Sequence, residues 1–144
     1  MVICADTSFL FSLYGTDSNT PRALAWIKAS RTPLSVSPFN EFELGNALRF
    51  AEFRKALASG KAAAFWSQFE ADLASGRLVA EVWNLAAVIQ EAKRLSSTYT
   101  LAGGHRAFDI LHVAAALHIH ASEFLTFDAC QRKLVKAEGI KVPL

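Results

Sequence analysis

The sequence predicts a single α/β domain: a central parallel β-sheet of about five short strands with helices on both faces. Three observations carry this. Short apolar runs such as Val2-Ile3-Cys4-Ala5, Leu34-Ser35-Val36 and Phe124-Leu125-Thr126-Phe127 recur along the chain, the pattern of strands buried on both faces. Segments with apolar residues at helical spacing lie between them, and such alternation indicates a parallel sheet covered by helices. At 144 residues, 52% of them apolar and 11% aromatic, the chain is too apolar for disorder. A chain of that length buries about two-thirds of its unfolded surface. Residues 1–144 contain no linker, repeat or low-complexity run and read as one domain.

Each element has a local reason. Residues 2–5 form the first strand, and Asp6 can cap a short helix from Ser8 to Tyr14. Ser18-Asn19-Thr20-Pro21 is a helix start, with Thr20 in the capping position and proline at the first helical one. That helix runs to about residue 30, and 34–36 is the second strand. Ser37-Pro38 repeats the signal and opens a long helix to about residue 58, which Ser59-Gly60 breaks. A helix over 61–74 places Phe65, Trp66 and Phe69 at helical spacing. A third strand over 77–82 and a helix over 85–97 follow, then a break at Gly103-Gly104. The helix over 106–121 is apolar on most sides and hence central. Residues 123–127 are the fourth strand, 129–138 the last helix, and 140–142, after Gly139, the fifth strand.

No apolar run reaches the length of a membrane span, and no basic segment precedes a cleavable apolar one, so the expected location is the cytoplasm. Cys4 and Cys130 make no CxxC pair and read as reduced, buried side chains. A net charge of +2 does not announce nucleic-acid binding. Arg49, Arg54, Lys55 and Lys61 cluster in one helical region and Arg132, Lys133 and Lys136 in another; each cluster alone reads as a solvated face.

The acids say more. Asp6 and Asp128 each follow an apolar strand, Glu43 lies in Phe39-Asn40-Glu41-Phe42-Glu43-Leu44, and Asp109 opens a nearly all-apolar stretch. Burying an unpaired carboxylate is expensive, and the usual compensation is a shared cation. Ligands of open parallel sheets bind outside the carboxyl ends of the strands, where Asp6 and Asp128 fall. If the helices carrying Glu43 and Asp109 begin at the same edge, all four converge on a site for a hard metal such as Mg²⁺ or Mn²⁺. Singly, Asp6 and Asp128 also suit helix caps, and Asp109 suits the first turn of its helix. Glu43 is harder to account for. It lies beyond the first turn, on a stripe with Phe39, Ala47 and Phe50.

Asp6-Thr7-Ser8-Phe9-Leu10 resembles the opening of a PIN domain, whose first strand ends in Asp-Thr/Ser-Ser. Glu43-Leu44 with Asn46-Ala47-Leu48 resembles the second acidic motif of that family. Arg106-Ala107-Phe108-Asp109-Ile110-Leu111-His112-Val113-Ala114 is similar to the third, which in VapC-like toxins often reads as arginine, two residues, then Asp-x-Leu-His-x-Ala. Leu125-Thr126-Phe127-Asp128 resembles the fourth. The likeness spans Asp6 to Asp128 with no departure at an acidic position; Glu41 is the neighbour that competes with Glu43 for the second.

What the resemblance implies is a Mg²⁺- or Mn²⁺-dependent endoribonuclease, the toxin of a toxin–antitoxin pair, acting on a transfer or ribosomal RNA. Asp6 and Asp109 would be the primary ligands, with Glu43 and Asp128 direct or through water. Ser8 and Thr126 carry hydroxyls suited to supporting the acids or a phosphate oxygen, or to a local turn, and Arg106 suits a substrate phosphate or an acid. A homodimer is implied, and an antitoxin docked on an apolar groove of residues 42–58 and 61–74, near Phe50, Phe53, Phe65, Trp66 and Phe69. Alternatives are a PIN nuclease of RNA processing or repair, and a PIN-like binding module without metal. A phosphotransfer receiver domain needs an acidic pair after the first strand, and Asp6 has no acidic neighbour. A zinc site from His105, His112, His118 and His120 with Asp109 lacks any HExxH pattern, and His112 reads better as a satisfied polar residue.

Overall fold

The computed structural model describes all residues, 1–144. Four short strands, β1 (Ile3–Ala5), β2 (Leu34–Val36), β3 (Leu78–Ala80) and β4 (Glu123–Leu125), pair in parallel in the order β3-β2-β1-β4. Strand order reverses at β1, so the carboxyl end of β1 is the switch point where parallel sheets open a crevice. Alternating side chains feed two cores. Ile3, Ala5, Leu34, Val36 and Leu125 join one with α1 (Thr7–Tyr14), α2 (Thr20–Ala29), α3 (Pro38–Phe53) and α4 (Lys61–Ser75). Cys4 and Phe124 point to the other, built with α5 (Leu85–Leu95), α7 (Ala107–His118) and α8 (Ala129–Ala137). No helix is long and apolar enough to cross a membrane.

Several ends differ from expectation, each for a physical reason. The fifth strand is one bridge, Glu123 to Lys141. Pro143, which has no amide proton to donate, stands just beyond it. α3 stops at Phe53 rather than near residue 58, because Lys55 takes a left-handed conformation (φ 60°) and Leu57 turns back into the core. Glu52 then accepts from the amides of Gly60 and Ala62, capping α4 in place of a side chain at Gly60. α2 is entered from Asn19, whose side chain makes no capping bond; Thr20 is already helical. α5 passes into a wide π-turn at Ser96–Thr100 and one further turn, α6 (Leu101–Gly103), before Gly104 at φ 67°. The strands over 77–82 and 123–127 shorten to three residues each, and the central helix is trimmed to Ala107–His118.

The start of α3 matches expectation. Ser37 accepts from the Asn40 amide and donates its own backbone N–H to Asn40 Oδ1, a capping box with Pro38 in the first turn. Cys4 is buried, which pushes its thiol up to about 12. Cys130 is half-buried, its sulfur 3.3 Å from His105 Nδ1.

Candidate active site

β1 ends at Ala5, and the next residue, Asp6, leads directly into α1 and caps it by accepting from the Phe9 amide at 3.0 Å. β4 ends in Leu125, after which Thr126 and Phe127 lead to Asp128, which caps α8 through the Gln131 amide. The capping reading of both aspartates therefore holds. It accounts for only one oxygen of each. α3 and α7 start near the same edge and add Glu43 and Asp109, so all four acids line one cavity of about 350 Å³. Glu41 does not line it. A larger cleft, about 810 Å³, lies elsewhere, and its one acid, Asp72, is engaged by Tyr14 and Arg77.

The acids differ in surroundings. Asp6 is 3% exposed. Ser8 donates to its Oδ1 at 2.7 Å and Thr126 to its Oδ2 at 2.5 Å. Burial nonetheless raises its pKa above the usual carboxylate value, the hydrogen bonds from Thr126, the Phe9 amide and Ser8 opposing it. Thr126 also accepts from the Asp128 amide, linking two acids through one hydroxyl. Arg106 is an exposed side chain whose Nε meets Asp109 Oδ2 at 2.9 Å. Gln131, fully buried, donates to the Asp109 carbonyl and so ties α8 to α7.

Glu43 is held by a buried polar chain. The capping box orients Asn40, because Ser37 N–H takes its Oδ1; its Nδ2 then donates to the Ala5 carbonyl and faces His112 Nδ1 at 3.3 Å. With Nδ1 accepting, His112 Nε2 carries the proton and donates to Glu43 Oε2 at 2.5 Å. Thr7 donates to the same oxygen at 2.8 Å. Burial pushes Glu43 up, but the bonds from His112 and Thr7 outweigh it and hold the carboxyl below its usual value. His112 is thus the satisfied polar residue expected. The other histidines lie apart: His105 beside Cys130, His118 accepting from the Asn84 amide, and His120 in a left-handed turn.

The residues fit a hard divalent cation better than zinc. No three His, Cys, Asp or Glu side chains stand close enough to form a complete protein cage. Mg²⁺ does not require one, since it keeps several waters and takes one or two carboxylates with substrate oxygens. Glu43 Oε1, Asp109 Oδ1 and Asp128 Oδ2 accept no hydrogen bond from the protein and stay available. Both ring nitrogens of His112 are engaged, leaving the cavity without a free nitrogen or sulfur ligand.

Sequence reasoning named Asp6, Glu43, Asp109, Asp128, Ser8, Thr126 and Arg106, and the structure brings all of them to the same edge. It assigned no role to Thr7, Asp17, Asn19, Asn40 or Gln131. Asn40 carried a signal, the N3 position of the box opened by Ser37; Thr7 and Gln131 act through tertiary contacts, and Asp17 and Asn19 through local bonds in the turn between α1 and α2. The expected aromatic docking set divides. Phe69 is fully buried between Tyr14 and Trp66, while Phe50 and Phe53 are exposed and stacked 6.0 Å apart.

A parallel α/β sheet with carboxylates gathered at its switch point defines a class of acidic-site α/β domains. Residues 3–137 match the family model described as PIN domain, and the chain belongs to the PIN-domain family. Among solved structures it is similar to the Sarcin-Ricin loop cleaving toxin VapC20 of Mycobacterium tuberculosis, at 17% identity and a TM-score of 0.71 over 96% of each chain. It is also similar to FitAcB from Neisseria gonorrhoeae, at 18% identity and a TM-score of 0.63 over 98% of this chain and 96% of that one. At such identities the likeness shows the fold. No curated protein matches the sequence.

Proposed function

We propose that the chain is a Mg²⁺- or Mn²⁺-dependent endoribonuclease acting as the toxin of a toxin–antitoxin pair in the cytoplasm. One observation carries the reading: four carboxylates from four separate segments line one cavity at the switch point of the sheet. Asp6, Glu43, Asp109 and Asp128 would hold the cation, which supplies a water activated at neutral pH and neutralises charge on the scissile phosphate. Ser8 and Thr126 hold the Asp6 carboxylate in place, and Thr7 and His112 hold that of Glu43. Arg106, largely exposed beside Asp109, offers a guanidinium to a substrate phosphate. The toxin part of the reading is supported by the cleaving toxin VapC20 among the structural neighbours.

Asp6→Asn, Glu43→Gln and Asp109→Asn should each abolish divalent-dependent RNA cleavage and the growth arrest caused by expression, with the fold intact by circular dichroism. Near wild-type cleavage by Asp109→Asn, with contaminating nuclease removed, would overturn the reading. The antitoxin would seat its own apolar anchors on the exposed Phe50–Phe53 pair, and the chain would pair with a second copy. Phe50→Ala with Phe53→Ala should weaken antitoxin capture while leaving the melting temperature within a degree or two. Unchanged capture would place the docking surface elsewhere.

A further inference from the structure

The cavity has a wall that the four acids do not use. It comes from the end of α1 and the turn into α2, where Phe11, Ser12, Asp17 and Asn19 line the space. Asn19 occupies the capping position of α2, yet its side chain makes no capping bond and no other hydrogen bond to the protein. An asparagine in that position ordinarily spends its amide on the helix. This one leaves a donor and an acceptor free on the cavity wall.

The turn is held from the acid side by a chain of bonds. Ser8 donates to Asp6, and Ser12, 1% exposed, lies within hydrogen-bond distance of the Ser8 carbonyl and of Asp17 Oδ2. Asp17 Oδ1 in turn accepts from the Asn19 amide at 2.8 Å. The position of Asn19 is therefore coupled to that of Asp6. Phe11 is half-buried and has no aromatic partner, whereas Phe127, also on the cavity, is covered by Phe9 and by the Arg22 guanidinium. Phe11 is backed by Gly15, where a Cβ would come within 3.3 Å of the ring.

We propose that Phe11 and Asn19 form a nucleobase subsite beside the acids, Phe11 giving a stacking face and Asn19 reading the base edge; this rests on the RNA-cleaving reading. Base–aromatic stacking is tolerant of sequence, and discrimination comes from the amide. Asn pairs in bidentate fashion with adenine N6 and N7. The neighbouring Asp17 carboxylate disfavours a base that turns a carbonyl oxygen to it, uracil O4 or guanine O6, and favours an exocyclic amino group in that place. Adenine satisfies both conditions and stacks over more area than cytosine. The subsite selects adenine next to the scissile phosphate.

The test uses short RNA oligonucleotides of uridine with A, C or G placed singly at each position, their binding to the full chain in Ca²⁺ read by fluorescence anisotropy. The wild type should prefer adenine at one position by about tenfold, the discrimination one bidentate amide–base pair supplies. Asn19→Ala should flatten that preference to within about twofold, and Phe11→Leu should weaken all bases alike by about tenfold. The Mn²⁺-induced rise in melting temperature should be unchanged in both variants. No base preference in the wild type, or a preference that survives Asn19→Ala, would overturn the subsite. Loss of the Mn²⁺ shift in Asn19→Ala would overturn it too, since the residue would then act through the acids. Base-selective binding without any metal-induced shift in the wild type would keep the subsite and remove the nuclease reading, so the two fail separately.

Discussion

Two charge clusters on this molecule use the same chemistry to opposite ends. On the outer face, Arg94 of α5 reaches Glu91 at 2.9 Å and Glu138, after α8, at 2.6 Å, and Tyr99 donates to Glu138 at 2.7 Å. There each acid has a cation beside it, and the hydrogen bond from Arg94 holds the Glu138 carboxyl below its usual value. At the sheet edge, the four candidate ligands and Asp17 share a cavity with one guanidinium, that of Arg106, and the most buried of them, Asp6, has its pKa raised by burial. The first cluster is stabilised by being folded. The second is imposed by the fold, through caps and hydroxyls that hold carboxylates together whether or not a cation is present. Asp6, whose ionised form burial disfavours and which the fold nonetheless holds in place, marks a site.

The largest expected contrast is in turnover. Asp6→Asn should eliminate metal-dependent cleavage, whereas Glu91→Gln in the outer cluster should leave it at the wild-type rate. An effect of Glu91→Gln on rate would mean that the two clusters are not independent.

Stability should separate them next, with opposite signs. Asp6 has a folded-state pKa above its unfolded value. Its contribution is thus fully present below the unfolded pKa of about 4 and is lost as pH rises through the folded one. Without metal at neutral pH, Asp6→Asn should therefore melt higher than wild type, since Asn caps a helix as well as Asp, and the gap should close on acidification. Glu138 runs the other way: its contribution is present above the unfolded pKa and lost as pH falls through the depressed folded one. Melts of wild type, Asp6→Asn and Glu138→Gln from about pH 7 down to about pH 2, well past the unfolded glutamate value of about 4.3, would show both slopes; equal slopes would erase the distinction.

The smallest effect is that of Arg94→Gln. Its partners are only partly buried, so the loss should be about 1 kcal/mol or less and should shrink in high salt.

How much of this the sequence disclosed follows from the range of the forces involved. Ser37-Pro38 announced its helix because capping is local, and the strand ends at Asp6 and Asp128 followed from apolar runs meeting a carboxylate. Local propensity failed at residues 54–58. That stretch suits a helix, but it turns to bury Leu57 and lets Glu52 cap α4. Phe69 shares its helical face with residues that looked like a docking surface, and only tertiary packing against Tyr14 shows it to be core. The four acids could be named because carboxylates in apolar stretches stand out. Thr7 and Gln131 could not, since each does its work on a residue that is 22 or more positions away. The fifth strand fell short for want of an amide at Pro143.

The central claim is that the acids at the carboxyl edge of β1 and β4 form a divalent-cation site, and thermal melts of the wild type and Asp6→Asn with and without Mn²⁺ test it most directly. For a dissociation constant of ~1 mM and ~10 mM ion, linkage gives about 1.4 kcal/mol. That corresponds to a rise of roughly 3–5 °C for a domain of this size. The wild type should show that rise, and Asp6→Asn should start higher and gain little. A wild-type transition that no divalent cation moves, together with an Asp6→Asn variant that melts lower than wild type without metal, would mean that the acids are helix caps and nothing more.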